Sequence, residues 1–135
     1  REKLTPDAHG VILVMVGLPA RGKSFISRKV EGFFRWRGIR TRSFNVGRYR
    51  RSACDPDRSG RNGFFDSANA DALAARERAA SAALLDTLAF LDDGGKVAIL
   101  DATNSTAARR QSLASRVGIH NPSYRLIFVE SICDD

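Results

Sequence analysis

Three features of this sequence predict an α/β fold, a parallel sheet with helices on both faces in three layers. Strand and helix signals alternate along the chain in the order β-α-β-α-β-α-β. The strands are short apolar runs, as expected where both sheet faces are covered, and a glycine-rich octapeptide joins the first strand to the first helix. Such alternation requires right-handed crossovers, and ligands of such sheets bind beyond the carboxyl ends of the strands.

The first strand is Val11-Ile12-Leu13-Val14-Met15-Val16. Behind it Ile26, Val30, Phe33, Phe34 and Arg37 fall at helical spacing, and Gly38 stands where that helix should end. Thr41 to Val46 has the β-forming content of a second strand. Residues 47–66, rich in Gly, Arg, Asp and Ser, read as a loop long enough to suggest function. Ser67 or Asn69 is the expected cap of a long helix with Leu73, Ala80, Leu84, Leu88 and Leu91 as its buried stripe, stopped by Gly94-Gly95. Val97 to Leu100 is the third strand. A helix from about Thr106 to Val117 leads past Pro122 to the strand Tyr124 to Glu130. Without repeats or low-complexity linkers, residues 11–135 read as one domain behind a lead-in over residues 1–10.

The chain has 135 residues, 43% of them hydrophobic, enough to bury a core. No apolar stretch has the length of a membrane span and no secretory signal pattern is present; the first residue is Arg1, which reads as a trimmed chain. Cys54 and Cys133 offer neither a disulfide framework nor metal-ligand spacing, so a soluble protein of the reducing cytoplasm is expected. The net charge of +7, carried mainly by arginine, calls for an anionic ligand. Charge alone does not choose among nucleic acid, a membrane surface and a small phosphorylated substrate.

The octapeptide Gly17-Leu18-Pro19-Ala20-Arg21-Gly22-Lys23-Ser24 is a phosphate-binding loop, or P-loop, in the right context, with a strand before it and a helix after. Gly17 and Gly22 let the backbone curve into a nest of inward N–H groups, and the following helix presents its positive end to the same anion. Lys23 has the reach for the β and γ phosphates, and the Ser24 hydroxyl can ligate magnesium. A nucleoside triphosphate is the ligand this implies; the bland alternative is a glycine-rich turn that happens to carry Lys-Ser.

Asp101 ends the third strand behind four apolar residues, the rigid and partly dry perch a magnesium-organising carboxylate needs. To meet an ion held by Ser24, the third strand must lie beside the first, and a place between the first and second is expected. Thr103 and Asn104 add a hydroxyl and an amide suited to orienting a hydroxylic substrate, although alone they are ordinary turn formers. Arg109-Arg110, Arg50-Arg51 and Arg76 each read singly as surface residues, but together at one cleft they would suit a phosphorylated acceptor. His9 and His120 stand in no motif, and Cys133 reads first as a small buried hydrophobe.

Val14 to Ser24, Phe44-Asn45-Val46-Gly47-Arg48-Tyr49-Arg50-Arg51, Asp101-Ala102-Thr103-Asn104 with Arg109-Arg110, and Val129 to Asp135 together resemble the kinase domain of the 6-phosphofructo-2-kinase/fructose-2,6-bisphosphatase family. The likeness runs from near residue 11 to the last residue. The resemblance implies a P-loop NTPase-like kinase domain, truncated on its C-terminal side, in which Gly17 to Ser24 bind MgATP. It implies Lys23 and Asp101 as catalytic groups, Ser24 and Asp101 at the magnesium, Arg50, Arg76, Thr103 and Arg109 on fructose 6-phosphate, and Cys133 in the kinase site. It also implies a phosphatase domain in the parent protein, and neither nucleic acid nor membrane as a partner. The family carries an acid where Arg48 stands and an Arg-Pro-Asp-Asn-like stretch where this chain reads Asp66-Ser67-Ala68-Asn69. The implied reaction is transfer of the ATP γ-phosphoryl to the 2-hydroxyl of fructose 6-phosphate; because family kinases continue further, these 135 residues alone are expected to be inactive. The rivals are a polynucleotide 5'-hydroxyl kinase and a module that senses ATP without turnover.

Overall fold

The computed structural model describes residues 9–17, 23–53, 65–102 and 106–130. Their order is β1 (Gly10–Val16), α1 (Lys23–Trp36), β2 (Thr41–Asn45), α2 (Val46–Ala53), α3 (Phe65–Asp92), β3 (Val97–Asp101), α4 (Ala107–His120) and β4 (Tyr124–Glu130). The four strands form one parallel sheet ordered β2-β3-β1-β4, with β3 beside β1 as the magnesium argument required and between β1 and β2 as expected.

The apolar strands are the central ones. Every residue of β3 is buried, and β1 is buried except at Leu13. On one face, Ile12, Val14, Phe44, Ala98 and Leu100 pack with Ala83, Leu84, Leu88 and Leu91 of α3 and with Leu113 and Val117 of α4. On the other, Met15, Val97 and Ile99 pack with Ile26, Val30 and Phe34 of α1. Each fully buried Leu, Ile or Val contributes about 1.5–3 kcal/mol relative to exposure, so this double-sided core fixes the register of β1 against β3. The edge strand β4 has less cover: its Ile127 and Phe128 remain exposed.

Gly38 and Gly94 end α1 and α3 as expected. Both take positive φ (78° and 98°), and the N–H groups of Ile39 and Gly95 reach back to the carbonyls of Phe34 and Phe90. These are left-handed caps that a residue bearing a Cβ resists.

Several expectations are corrected. The loop expected over residues 47–66 is helix α2 up to Ala53, and residues 65–66 already belong to α3. Accordingly β2 stops at Asn45 and Val46 opens α2. Asn45 Oδ1 accepts the Arg48 N–H (3.3 Å), an N-cap bond that turns the chain from strand to helix without a loop. Neither Ser67 nor Asn69 caps α3, which starts at Phe65 and runs through an alanine-rich stretch without glycine or proline. Leu73 is exposed, Ala80 is only half-buried, and Phe33 is exposed; the buried stripe of α3 begins at Ala79, because its N-terminal half extends past the core. Helix α4 begins where expected, after an N-cap at Thr106 whose side chain accepts the Arg109 N–H, but continues past Val117 to His120.

At the opposite end of the sheet from the strand carboxyl ends, Asp92 joins three elements. It accepts the Tyr124 hydroxyl (2.5 Å) and contacts His120 Nε2 (2.8 Å). The Tyr124 hydrogen bond is the main force holding the Asp92 carboxyl below its ordinary pKa of 3.8, opposed by desolvation and assisted by His120. Burial, then the bond to Asp92, pushes the Tyr124 hydroxyl up to about 12. Because the folded pKa of Asp92 is depressed, its stabilising contribution is present above the unfolded pKa and is lost as pH falls through the folded value. Tyr124→Phe should therefore lower Tm at neutral pH, and the gap from the wild type should narrow as the buffer is taken well below pH 3.8. Thermal melts of both proteins across that range check it; a gap constant with pH would refute the linkage.

Candidate active site

The carboxyl ends of β1, β2 and β3 bring the site residues together because the register aligns them. Met15, Asp101 and Asn45 are direct neighbours across three strands. Residues in register on parallel strands point to the same face, which for this row is the α1 face where Met15 packs. Asp101 is only 6% exposed, and the Asn45 Nδ2 donates to its Oδ2 at 3.3 Å. A buried carboxylate needs such a donor, since an unpaired charge in this setting is costly.

Two residues beyond Met15, Gly17 leaves β1 at φ 147°, a conformation that L side chains rarely adopt. Helix α1 opens at Lys23, so Lys23 and Ser24 are its first two residues and its positive end lies at the same sheet edge. Leu18, Pro19, Ala20, Arg21, Gly22, Thr103 and Cys133 lie outside the described residues.

Helices α2, α3 and α4 supply the arginines. Arg50 is exposed on α2, and α2 is tied to α3 by the Tyr49 hydroxyl donating to Asp86 (2.5 Å). Burial, followed by that bond, raises the Tyr49 pKa to about 12, so the hydroxyl remains a donor at any physiological pH. Arg76 is exposed on the half of α3 beyond the core. Arg109 lies in the first turn of α4, and its guanidinium is paired with Glu77 (2.6 Å), the residue after Arg76. The structure thus brings Asp101, the Gly17 turn and the start of α1 to one edge, and links Arg109 to the stretch of α3 that carries Arg76. Sequence reasoning missed two participants, Asn45 as a partner of Asp101 and Glu77 as a partner of Arg109. An asparagine ending a strand at the binding edge was a readable signal for the first; nothing marked the second.

The donor set suits a magnesium nucleotide. Among the described residues no group of three or more His, Cys, Asp or Glu could hold a metal ion. A single buried carboxylate on the strand beside Gly17 is compatible with magnesium, which is bound by few protein ligands together with phosphate oxygens and water. Also among the described residues, no helix is long and apolar enough to cross a membrane.

A glycine turn leading into a helix, a buried acid on the adjacent strand and a third strand inserted between the first two define a P-loop kinase fold. Solved structures agree: a cysteine-to-alanine mutant of the APS kinase CysC from Mycobacterium tuberculosis superposes with a TM-score of 0.64 at 18% identity, covering 92% of this chain and 76% of that one. The Pnkp1/Rnl/Hen1 RNA repair complex contains a chain matching with a TM-score of 0.61 at 20% identity, over 99% of this chain and 37% of that one. A family model described as 6-phosphofructo-2-kinase matches residues 2–135, and the chain belongs to that family. It is 44% identical to 6-phosphofructo-2-kinase/fructose-2,6-bisphosphatase of Caenorhabditis elegans, over 96% of this chain and 30% of that protein. It is 46% identical to 6-phosphofructo-2-kinase/fructose-2,6-bisphosphatase 4 of Homo sapiens, over 92% of this chain and 26% of that protein. The chain thus spans less than a third of the length of these relatives.

Proposed function

We propose that this chain is part of an ATP-dependent sugar-phosphate kinase that transfers the γ-phosphoryl group of MgATP to the 2-hydroxyl of fructose 6-phosphate, giving fructose 2,6-bisphosphate. The observation that carries the reading is the buried Asp101 in register with Met15, two residues from the glycine turn of a chain that matches the kinase family along its length. MgATP supplies the transferable phosphoryl group when bound. Gly17 to Ser24 hold its phosphates through backbone N–H groups, and Lys23 offsets the charge that moves during transfer. Ser24 and Asp101 hold the magnesium side of the site, and Asp101 accepts the proton of the attacking hydroxyl. Thr103, Arg50, Arg76 and Arg109 hold the sugar phosphate, and Cys133 contributes to the kinase site. The names of the bifunctional relatives support a phosphatase domain in the parent protein.

The Glu77 pairing does not oppose a substrate role for Arg109. Glu77 is largely solvent-exposed, and such pairs are worth about 0–1 kcal/mol, so a phosphate dianion displaces it readily. Losing a charge-assisted hydrogen bond costs about 1.5–3 kcal/mol. Arg76→Ala or Arg109→Ala in the full-length protein should accordingly raise KM for fructose 6-phosphate by about tenfold or more. KM for ATP should stay within about twofold if these arginines serve the acceptor alone. Equal effects on both substrates in steady-state assays would remove the arginines from the acceptor site. The reaction itself is tested by ATP consumption with fructose 6-phosphate, fructose 1-phosphate and a 5'-hydroxyl oligonucleotide in parallel; turnover only with the oligonucleotide would overturn the proposal.

A further inference from the structure

We infer that Asn45 is a positioning residue that sets the carboxylate of Asp101 through a side chain locked at both ends. The lock follows from hydrogen-bond chemistry. The Arg48 backbone N–H can only donate, so the Asn45 atom facing it at 3.3 Å is Oδ1. The amide plane then has one orientation, and Nδ2 faces Asp101 Oδ2, also at 3.3 Å. A flipped amide would leave a backbone donor facing an NH2 group and a carboxylate facing a carbonyl oxygen, both repulsive.

The consequence is mechanical. Asn45 ends β2 and caps α2, so its side chain is referenced to two backbone elements, and Asp101 is referenced to Asn45 as well as to β3. With Asp101 only 6% exposed, water has little access to supply the missing donor if the amide is removed. Groups that orient a ligating or reacting carboxylate typically affect function about 10–100-fold without touching substrate. Arg48, whose N–H completes the lock, takes part through its backbone alone, so its side-chain identity is immaterial to this device.

This inference rests on the role proposed for Asp101, and the experiment separates the two. Three variants of the full-length protein are compared with the wild type: Asn45→Ser, Asn45→Asp and Asp101→Asn. Serine and aspartate are both good helix caps, so α2 keeps its N-cap in either. Serine is too short to reach Asp101, and aspartate has the reach but replaces the donor with a second carboxylate. The expected result is a fall in kcat of about tenfold for Asn45→Ser and about 100-fold for Asn45→Asp. KM for both substrates should stay within about twofold, with each variant folded by circular dichroism at the assay temperature even where its melt is lowered. A second readout needs no turnover: Mn2+ binding followed by electron paramagnetic resonance with a non-hydrolysable ATP analogue should weaken for Asn45→Ser. If Asp101→Asn abolishes the rate while Asn45→Ser retains wild-type kcat and Mn2+ affinity, the positioning role is refuted and the proposed function stands. A loss of rate in Asn45→Ser no greater than the fraction of protein unfolded at the assay temperature refutes it equally, since the residue would then only hold the fold. If Asp101→Asn keeps its rate, the role proposed for Asp101 falls and the positioning role falls with it.

Discussion

Lys23→Met in the full-length protein should reduce phosphoryl transfer by about 10²- to 10³-fold or more, the scale seen when one group that stabilises transition-state charge is removed. Its Tm should change little. Lys23 opens α1, and methionine propagates a helix about as well as lysine does, so the substitution removes charge without disturbing the helix start. Because the charge is needed most as the phosphoryl group is in transit, the loss should fall on kcat more than on KM for ATP. Rate measurements with a parallel thermal melt decide it; a variant keeping most of its rate would remove Lys23 from the mechanism.

Asp101→Asn should separate activity from stability as well. The amide is nearly isosteric with the carboxylate and can still accept from Asn45 Nδ2, so packing is preserved. The expected outcome is a rate reduced by about 10²- to 10⁴-fold, the range for loss of a positioned acid–base group. Tm should change little, since the amide keeps the shape of the side chain and its bond to Asn45. A clear fall in Tm would show that Asp101 is chiefly structural.

The fold was legible where local pattern and global packing agree. Val11 to Val16 and Val97 to Leu100 are apolar without alternation because both faces of these strands are covered, and that pattern pointed to a parallel sheet with helices on both sides. Gly38 and Gly94 were readable because a left-handed cap demands glycine. The pairing of β3 with β1 followed from chemistry, since Asp101 must lie beside the glycine turn, and the expected insertion between β1 and β2 is the order observed. Helix α2 was not legible: Gly47 and the arginines around it have loop composition, and the helix depends on the Asn45 cap and on packing against α3 through Tyr49 and Asp86. Leu73 was misread for a related reason. Helical periodicity says which face is apolar but not how far the helix extends past the layer that covers it. At the site, Gly17 and Asp101 were readable one residue at a time, whereas the Asn45–Asp101 and Arg109–Glu77 pairs are created by strand register and helix placement.

The insertion of β3 between β1 and β2 also sets a clock. On the ribosome β1 and β2 emerge first, yet they never pair with each other, and the strand that joins them ends at Asp101. At about 5–20 residues per second, roughly 4 to 17 s separate synthesis of Val16 from synthesis of Asp101. During that interval an apolar strand that is buried on both faces in the finished protein has neither of its sheet neighbours. Newly made β1 is therefore a natural client for chaperones that bind extended apolar segments, and slower translation between residues 46 and 96 should increase aggregation of the nascent chain rather than help it fold.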